Sequence, residues 1–445
     1  MPWRGLARAL TLLALGLATW QATSAPAPAS GPATNATLPS PARPGRPFLL
    51  GINEGVSVPR RRLEGGMPPE ALARHLEDAA RHVSALGARL IRAHTGAFPR
   101  TSMLELRPET VAEGDLWVRT VQATGLEPIL MVSPWPANRT ALHTPRYLPE
   151  DMVAYEAYVR ARVERYDGDG VDDMPGLLAP VRAWEVDNEP DLKFTRPPRT
   201  PHSPRPRPST GNTGFCPPEE YAAVLVASAR AIRAASADAR VLGLGLYAPD
   251  RATDYMDAVL AVPGAREAID VVSLHTYAND GGERLAQAIR ATRARLPDVP
   301  VWVTETSASS ARDPARQARL VVALTAQAAE AGAEALLWHT LADPPAATVD
   351  AGAAGGLASN SLTTHADDGT LVEKPSARTY RTLAAVLRDH DLTGARGEAP
   401  GLTRLTDGSA LLWDGALHAP KGGIDLRDGS ALPEGARATA PAWLR

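Results

Sequence analysis

The sequence is poor in several residue types whose absence excludes whole classes of protein. It has a single cysteine, Cys216, in 445 residues, so no internal disulfide can form. The formal net charge is only -3 at pH 7, which gives no electrostatic reason to expect binding to nucleic acid or to an acidic lipid surface. Aromatic residues make up 5% of the chain, so each tryptophan or tyrosine near a candidate site carries more weight.

The N-terminus has the composition of a targeting segment. Two arginines precede an apolar run at residues 9–20, and small residues follow up to Ala25. The run is too short to span a bilayer comfortably, so residues 1–25 are predicted to be a cleaved signal peptide. Residues 26–47 are rich in proline, alanine and serine and are predicted to be a disordered spacer. We therefore expect a secreted or periplasmic protein with no membrane attachment after cleavage, and the sequence makes no prediction of its oligomeric state.

From residue 48 onward, short apolar runs alternate with longer amphipathic segments. Strands are predicted at residues 48–53, 89–92, 128–132, 181–186, 240–246, 269–274, 300–304 and 335–338. Helices are predicted at residues 69–86, 109–123, 150–166, 218–235, 253–262, 284–296, 314–331 and 374–387. Continuous apolar strands alternating with helices predict a parallel sheet covered by helices. Eight such units favour a closed (β/α)8 TIM barrel at residues 48–395, and the lack of a glycine-rich fingerprint after the first strand argues against a dinucleotide fold.

Three segments interrupt or follow this alternation. Residues 191–217 are crowded with proline and arginine, and residues 343–372 are rich in alanine, glycine, serine and threonine. Both follow a strand, so they belong to the face of the barrel that carries active sites. Beyond Gly401 the sequence changes to short strand-like runs separated by Asp-Gly turns. Residues 396–445 are therefore predicted to form a small β extension packed on the barrel.

Polar residues cluster where the predicted strands end, whereas the strand interiors are almost entirely apolar. Glu189 follows the fourth predicted strand and Glu305 follows the seventh, and these strands face one another across an eight-stranded barrel. Hydrolysis of a glycosidic bond with retention requires two carboxyl groups roughly 5–5.5 Å apart. One must be protonated while the other stays ionised. The pair therefore predicts a glycosidase, with a carbohydrate as its substrate.

The neighbouring residues suit that division of roles. Arg92 and Tyr277 could hold Glu305 as a carboxylate by donating hydrogen bonds to it. Asn188 could bind the 2-hydroxyl group of the sugar, a contact that strengthens in the transition state. For His275, a structural role in the barrel wall and a contact with substrate are both open.

Two tryptophans are candidates for stacking against sugar rings. Trp338 ends the eighth predicted strand and could form the floor of the site, and Trp135 could serve a neighbouring subsite. His94 and His339 lack the spacing of zinc ligands. The acidic segment at residues 167–173 lacks the twelfth-position glutamate of a calcium loop and is better explained by Asx turns. No metal and no organic cofactor is predicted.

Three stretches at the ends of the fourth, sixth and seventh predicted strands are distinctive: Trp184-Glu-Val-Asp-Asn-Glu-Pro190, Ser273-Leu-His-Thr-Tyr277 and Trp302-Val-Thr-Glu-Thr306. Together they resemble the clan A retaining glycoside hydrolases, with families 39 and 5 the most similar. The resemblance covers residues 48–390 and implies a retaining β-glycosidase with Glu189 as acid/base and Glu305 as nucleophile. It also implies supporting roles for Asn188, Arg92, His275 and Tyr277.

The chain departs from that family pattern in two places, the insertion at residues 191–217 and the short C-terminal β region. Both concern substrate specificity more than chemistry. Two other functions remain open at this point. One is a transglycosidase that uses the same two carboxylates, and the other is a non-catalytic carbohydrate-binding barrel.

Overall fold

The computed structural model describes residues 48–57, 67–93, 108–134, 148–149, 151–191, 216–247, 253–277, 282–311, 313–343, 359–366, 370–390, 392–419 and 421–445. The predicted signal peptide, the spacer, His94, Trp135 and most of the 191–217 insertion lie outside the described residues. Among the described helices, none has the length and apolar character needed to cross a bilayer.

Eight parallel strands close into a barrel, as the sequence predicts. They are β1 (Leu49–Asn53), β2 (Leu90–Arg92), β3 (Glu127–Val132), β4 (Ala183–Val186), β5 (Arg240–Leu246), β6 (Val271–His275), β7 (Val301–Thr306) and β8 (Ala335–His339). Each strand pairs with the next along the chain, and β8 pairs with β1 to complete the ring. The (β/α)8 fold class is thereby confirmed.

The helices alternate with these strands. They are α1 (Pro69–Ala85), α2 (Pro108–Ala123), α3 (Met152–Glu164), α4 (Pro218–Ala235), α5 (Thr253–Leu260), α6 (Glu283–Arg295), α7 (Pro314–Glu330) and α8 (Pro375–Leu387). In α1, Leu72, Leu76 and Val83 recur at helical spacing and are buried. Aspartates cap two of the helices, because the carboxylates of Asp151 and Asp313 accept hydrogen bonds from backbone N–H groups in the first turns of α3 and α7.

The lower half of the barrel interior is filled by apolar side chains from the strands. This buried cluster comprises Leu49, Leu90, Ile129, Ala183, Leu242, Val271, Trp302, Ala335 and Leu337. Space is tight enough that Gly51 is required, since a Cβ there would lie 2.7 Å from both Leu337 Cγ and the Leu90 carbonyl oxygen. The interior is therefore a packed core, and the site must lie above it at the strand ends.

The next inward-facing position on four strands is polar. Because side chains alternate between the two faces of a strand, Arg92 follows Leu90 into the interior and Glu185 follows Ala183. Ser273 on β6 and Thr304 on β7 complete this polar layer. It lies directly above the apolar core, between that core and the mouth of the barrel.

The pairing of strand β7 with its neighbours is irregular close to Glu305. Its pairing with β6 shifts between Leu274 and His275, and its pairing with β8 shifts between Val303 and Thr306. Strict alternation would place Thr304 in the interior and Glu305 on the helix-facing side. The irregularity lets both side chains reach the interior, as such irregularities commonly do beside active sites.

The chain after β8 adds further strands. A hairpin of β9 (Thr363–His365) and β10 (Leu371–Glu373) precedes α8. The C-terminal strands are β11 (Arg396–Ala399), β12 (Leu402–Arg404), β13 (Ala410–Leu412), β14 (Ala416–His418), β15 (Gly423–Asp425), β16 (Ala431–Leu432), β17 (Arg437–Thr439) and β18 (Ala442–Leu444). They form one six-stranded and one two-stranded sheet. Thr403 donates a hydrogen bond to Glu330 at the end of α7, which joins this region to the barrel.

Candidate active site

The two glutamates singled out in the sequence converge at the mouth of the barrel. Glu189 follows β4, Glu305 lies near the end of β7, and both side chains are buried. A carboxylate oxygen of each and a ring nitrogen of His275 all lie within 4.8 Å of one another. This upper limit on the distance between the nearer oxygens is compatible with the ~5–5.5 Å between carboxyl groups in retaining glycosidases and lies below the ~6.5–9.5 Å in inverting ones.

Glu305 is surrounded by hydrogen-bond donors. Asn53 Nδ2 donates to its Oε2 at 2.8 Å, and Arg92 Nη1 donates to the same oxygen at 3.3 Å. The Tyr277 hydroxyl donates to Oε1. Donors on both oxygens favour the ionised carboxylate, which is the form that a nucleophile needs. The contacts from Arg92 and Tyr277 are those that the sequence analysis anticipated.

The Tyr277 hydroxyl stays protonated over a wide pH range. Burial, followed by the negative charge of Glu305, raises the pKa of the Tyr277 hydroxyl well above its usual value. The hydroxyl therefore remains a donor at neutral and moderately alkaline pH.

We expect Tyr277→Phe to lower kcat/KM on the best aryl glycoside about 10- to 100-fold, because a hydrogen bond to a charged group contributes roughly 1.5–3 kcal/mol. Both limbs of the pH–rate profile should stay in place, since Tyr277 does not titrate there. Tyr247→Phe is the matched control. The Tyr247 ring lies 6.4 Å from that of Tyr277, but among the described residues the Tyr247 hydroxyl makes no hydrogen bond to either glutamate. Equal losses in the two variants would contradict the role of the Tyr277 hydroxyl.

Glu189 is held by its backbone and by a histidine. Its φ is 49°, and that of Asp187 is 60°, in the left-handed region that non-glycine residues seldom adopt. The Glu189 N–H donates to the Gly245 carbonyl at 3.0 Å, which anchors this turn. His275 Nδ1 lies 3.1 Å from Glu189 Oε1. Strain of this kind persists only where the surrounding structure holds it in place, and it concentrates at functional sites.

Arg92 joins the polar layer to the glutamates above it. Its side chain is fully buried, and its Nε donates to Glu185, which is also fully buried. Nη2 donates to Asn188 Oδ1 at 2.8 Å. Burial acts to lower the pKa of Arg92, but the charges of Glu185 and then Glu305 outweigh it and raise that pKa above its usual value. The guanidinium therefore stays charged and holds several groups in fixed positions.

The hydrogen bond to Asn188 also determines which end of that amide faces the site. Because Oδ1 accepts from Arg92, Nδ2 is the end available to donate toward a substrate.

The prediction that Trp338 forms a stacking floor is wrong. Its side chain is fully buried on the helix-facing side of β8, and its Nε1 donates to the Asn360 carbonyl at 2.8 Å. The reason is the alternation of the strand: Leu337 points into the barrel, so Trp338 points out and His339 points in. His339, which is half-buried, lies at the mouth instead. Trp135 is outside the described residues.

Other members of the site were overlooked in the sequence. Asn53 and His339 are strand-end residues to which the sequence analysis assigned no part in the site, and Glu185, Ser273 and Thr304 lie within strands. Glu185 accepts hydrogen bonds from Ser273 and Thr304 as well as from Arg92. Counting two residues on from each inward apolar position would have identified Glu185, Ser273 and Thr304 as interior polar residues.

Among the described residues, two groups of side chains have the spacing of cation ligands. One is the site itself, Glu189, His275 and Glu305, and the other is Glu164, Asp167 and Asp169, of which only Asp169 is exposed. In the first group, the charge of Arg92 beside Glu305 opposes a cation. In the second, Asp167 and Asp169 accept backbone N–H groups in the Asx turns predicted for this segment.

One family model matches part of the chain. Residues 234–333 match the family model of the glycosyl hydrolase catalytic core, and this segment contains β5 to β7 with His275, Tyr277 and Glu305. No curated protein matches the sequence.

Several solved structures share the fold. A family 39 glycoside hydrolase from the gut symbiont Bacteroides cellulosilyticus WH2 is 13% identical, with a TM-score of 0.59 over 89% of this chain and 80% of that one. A monomeric beta-xylosidase from Caulobacter crescentus CB15 is 19% identical, with a TM-score of 0.53 over 86% of this chain and 75% of that one. A family 39 enzyme from Xanthomonas axonopodis pv. citri is 20% identical, with a TM-score of 0.52 over 85% and 74%. Residues 234–333 thus match a glycosyl hydrolase catalytic core, and the barrel that contains them is similar in fold to family 39 and other glycoside hydrolases.

Proposed function

We propose that this protein is an exported retaining β-glycosidase, with Glu305 as the nucleophile and Glu189 as the acid/base. The observation that supports the proposal is the convergence of the two carboxylates, since one oxygen of each lies within 4.8 Å of the other. Export is supported by the apolar run at residues 9–20. The β-linked substrate class is supported by the resemblance to structures that include a beta-xylosidase.

The first chemical step joins the sugar to the protein. The Glu305 carboxylate attacks the anomeric carbon, and the bond from that carbon to the leaving oxygen breaks as Glu189 transfers its proton to this oxygen. The donors around Glu305 keep it ionised and aimed. In the second step, Glu189 removes a proton from water, the water oxygen bonds to the anomeric carbon, and Glu305 leaves as a carboxylate.

Asn188 lies where it can stabilise both transition states. Its Nδ2 is available to donate to the 2-hydroxyl of the sugar, since its Oδ1 is occupied by Arg92. A hydrogen bond to that hydroxyl strengthens as the ring gains oxocarbenium character.

A panel of aryl β-xylosides, β-glucosides and β-mannosides, extended to polysaccharides, tests the proposal. On the best substrate, proton NMR of the first product should show the β-anomer forming before mutarotation, because two displacements restore the configuration. An α-anomer as the first product would contradict a retaining mechanism. Transfer to an added sugar in preference to water would indicate a transglycosidase, and sugar binding without turnover would indicate a carbohydrate-binding barrel.

We expect Glu189→Ala to slow turnover of substrates with poor leaving groups by about 10²- to 10⁴-fold, the usual contribution of general acid–base catalysis. With a good aryl leaving group, the loss should fall mainly on the second step, because the first no longer needs a proton. Azide should then restore turnover and yield a β-glycosyl azide. The measurement is steady-state and burst kinetics with and without azide.

Glu219→Gln, an exposed glutamate in the first turn of α4, is the control and should leave the rates unchanged. Failure of azide to accelerate the Glu189→Ala variant would count against its assignment as acid/base.

A further inference from the structure

A chain of hydrogen bonds runs from Arg92 through Asn53 to His339. Arg92 Nη1 donates to Asn53 Oδ1 at 3.0 Å. Asn53 Nδ2 lies 2.8 Å from Glu305 Oε2 and 3.1 Å from His339 Nδ1. The three residues lie on β2, β1 and β8, where the ends of the strands adjoin, and Asn53 is in register with both Arg92 and His339.

The orientation of the Asn53 amide follows from the chemistry of its neighbours. A guanidinium has only donors, so the Asn53 atom facing Arg92 must be the oxygen. The amide nitrogen then faces Glu305 and His339, and its two hydrogens match these two contacts. The opposite orientation would place two donors together at Arg92 and two acceptors together at Glu305.

The amide in turn determines the tautomer of His339. Its Nδ1 faces an N–H donor and must accept, so Nδ1 carries no proton, and the proton of the neutral ring lies on Nε2. Among the described residues, Nε2 of His339 has no hydrogen-bond partner, and it is not enclosed as Nε2 of His275 is. The ring also packs edge-on against Tyr277, with centroids 6.0 Å apart and planes at 90°. Its direction is therefore fixed as well as its protonation.

From this geometry we infer that His339 is a preoriented Nε2–H donor that binds a hydroxyl group of the sugar beside Glu305. The inference rests on the proposed function and adds a residue that determines sugar specificity. It replaces the apolar stacking expected of Trp338 with a polar contact, because the inward position at the end of β8 is held by an imidazole. A donor fixed in this way favours sugars that place an oxygen along the direction of its Nε2–H bond.

The tautomer can be measured in the protein without substrate. Uniform ¹⁵N labelling of histidine, with two-bond correlation spectra and the His339→Gln variant for assignment, distinguishes a protonated from an unprotonated ring nitrogen. We expect Nδ1 of His339 to be unprotonated and Nε2 protonated at pH 7. Asn53→Leu should remove this preference and give a mixture of tautomers. A proton on Nδ1 in the parent protein overturns the inference.

The contact with substrate is measured by kinetics. His339→Phe keeps a ring but has no donor, and we expect kcat/KM on the best aryl glycoside to fall about tenfold. His339→Gln should recover part of that loss through its amide N–H. On monodeoxy analogues of the same substrate, the difference between parent and His339→Phe should vanish for one hydroxyl position. A His339→Phe variant as active as the parent on every analogue overturns the inference.

The two measurements separate this inference from the proposed function. If the parent hydrolyses no glycoside, the proposed function fails. The tautomer in the sugar-free protein still decides whether His339 is held as a donor.

Discussion

Replacement of Glu305 by alanine is expected to lower kcat by on the order of 10⁴- to 10⁶-fold, the scale of loss when a covalent nucleophile is removed. In the proposed mechanism, the substitution deletes the atom that bonds to the anomeric carbon. The rest of the site should persist, because Arg92 keeps its partner Glu185 and Asn53 keeps its contacts with Arg92 and His339. The measurement is kcat on the best aryl glycoside, with circular dichroism to establish that the fold is retained.

Azide distinguishes the roles of the two glutamates. In Glu305→Ala, azide can only attack the substrate directly, so the product should be an α-glycosyl azide, inverted relative to the substrate. In Glu189→Ala, azide attacks the glycosyl-enzyme, so the product should be the β-azide. The reverse assignment of products would exchange the two roles.

Glu127→Gln is the matched control for Glu305→Ala. Glu127 begins β3 at the opposite end of the barrel and pairs with Arg89 on the surface. Its replacement should leave kcat unchanged. A Glu305→Ala variant with the activity of this control would remove the enzyme mechanism altogether.

Arg92→Met is expected to lower the free energy of unfolding by about 3–5 kcal/mol, because it leaves a buried charge without its partner. Glu185 is fully buried, and among the described residues it would keep hydrogen bonds only from the hydroxyls of Ser273 and Thr304, with His275 Nε2 4.0 Å from its Oε1. Activity should fall too, since the donors to Glu305 and Asn188 are lost. Denaturant unfolding followed by fluorescence and far-UV circular dichroism measures the change.

Two further variants test the cause of that loss. Arg89 lies three residues before Arg92 and forms an exposed ion pair with Glu127. Arg89→Met breaks this pair and should lower the free energy of unfolding by less than about 1 kcal/mol. Adding Glu185→Gln to Arg92→Met removes the stranded charge and should restore at least about 1 kcal/mol. If Arg92→Met costs no more than Arg89→Met, the buried cluster does not stabilise the barrel.

The predictions for Glu305→Ala and Arg92→Met both depend on one arginine that donates hydrogen bonds to several acceptors. Arg92 neutralises Glu185 below it, holds Glu305 ionised above it, and orients the amides of Asn53 and Asn188 on either side. A guanidinium suits this position because its donors project in a fixed plane. A lysine would supply the same charge but not N–H donors in these fixed directions.

The sequence by itself determined the barrel and the pairing of its glutamates. Continuous apolar runs such as residues 240–246 and buried helical spacing such as Leu72, Leu76 and Val83 are local signals, and each was sufficient to place its element. Eight repeats of them imply closure of the sheet. Closure in turn brings the ends of β4 and β7 to one face, which is why Glu189 and Glu305 could be singled out before any coordinates.

Only the tertiary structure decided which side chains face the interior at those ends. Glu305 reaches the mouth through an irregular pairing of β7 with β6 and β8, and regular alternation would have turned it toward the helices. Residue type alone suggests Trp338 for the site, but Trp338 is buried on the helix-facing side of β8 and His339 faces the interior. The physical reason is that a shift of one residue in a strand reverses the face of every following side chain, and such shifts depend on partners distant in the sequence.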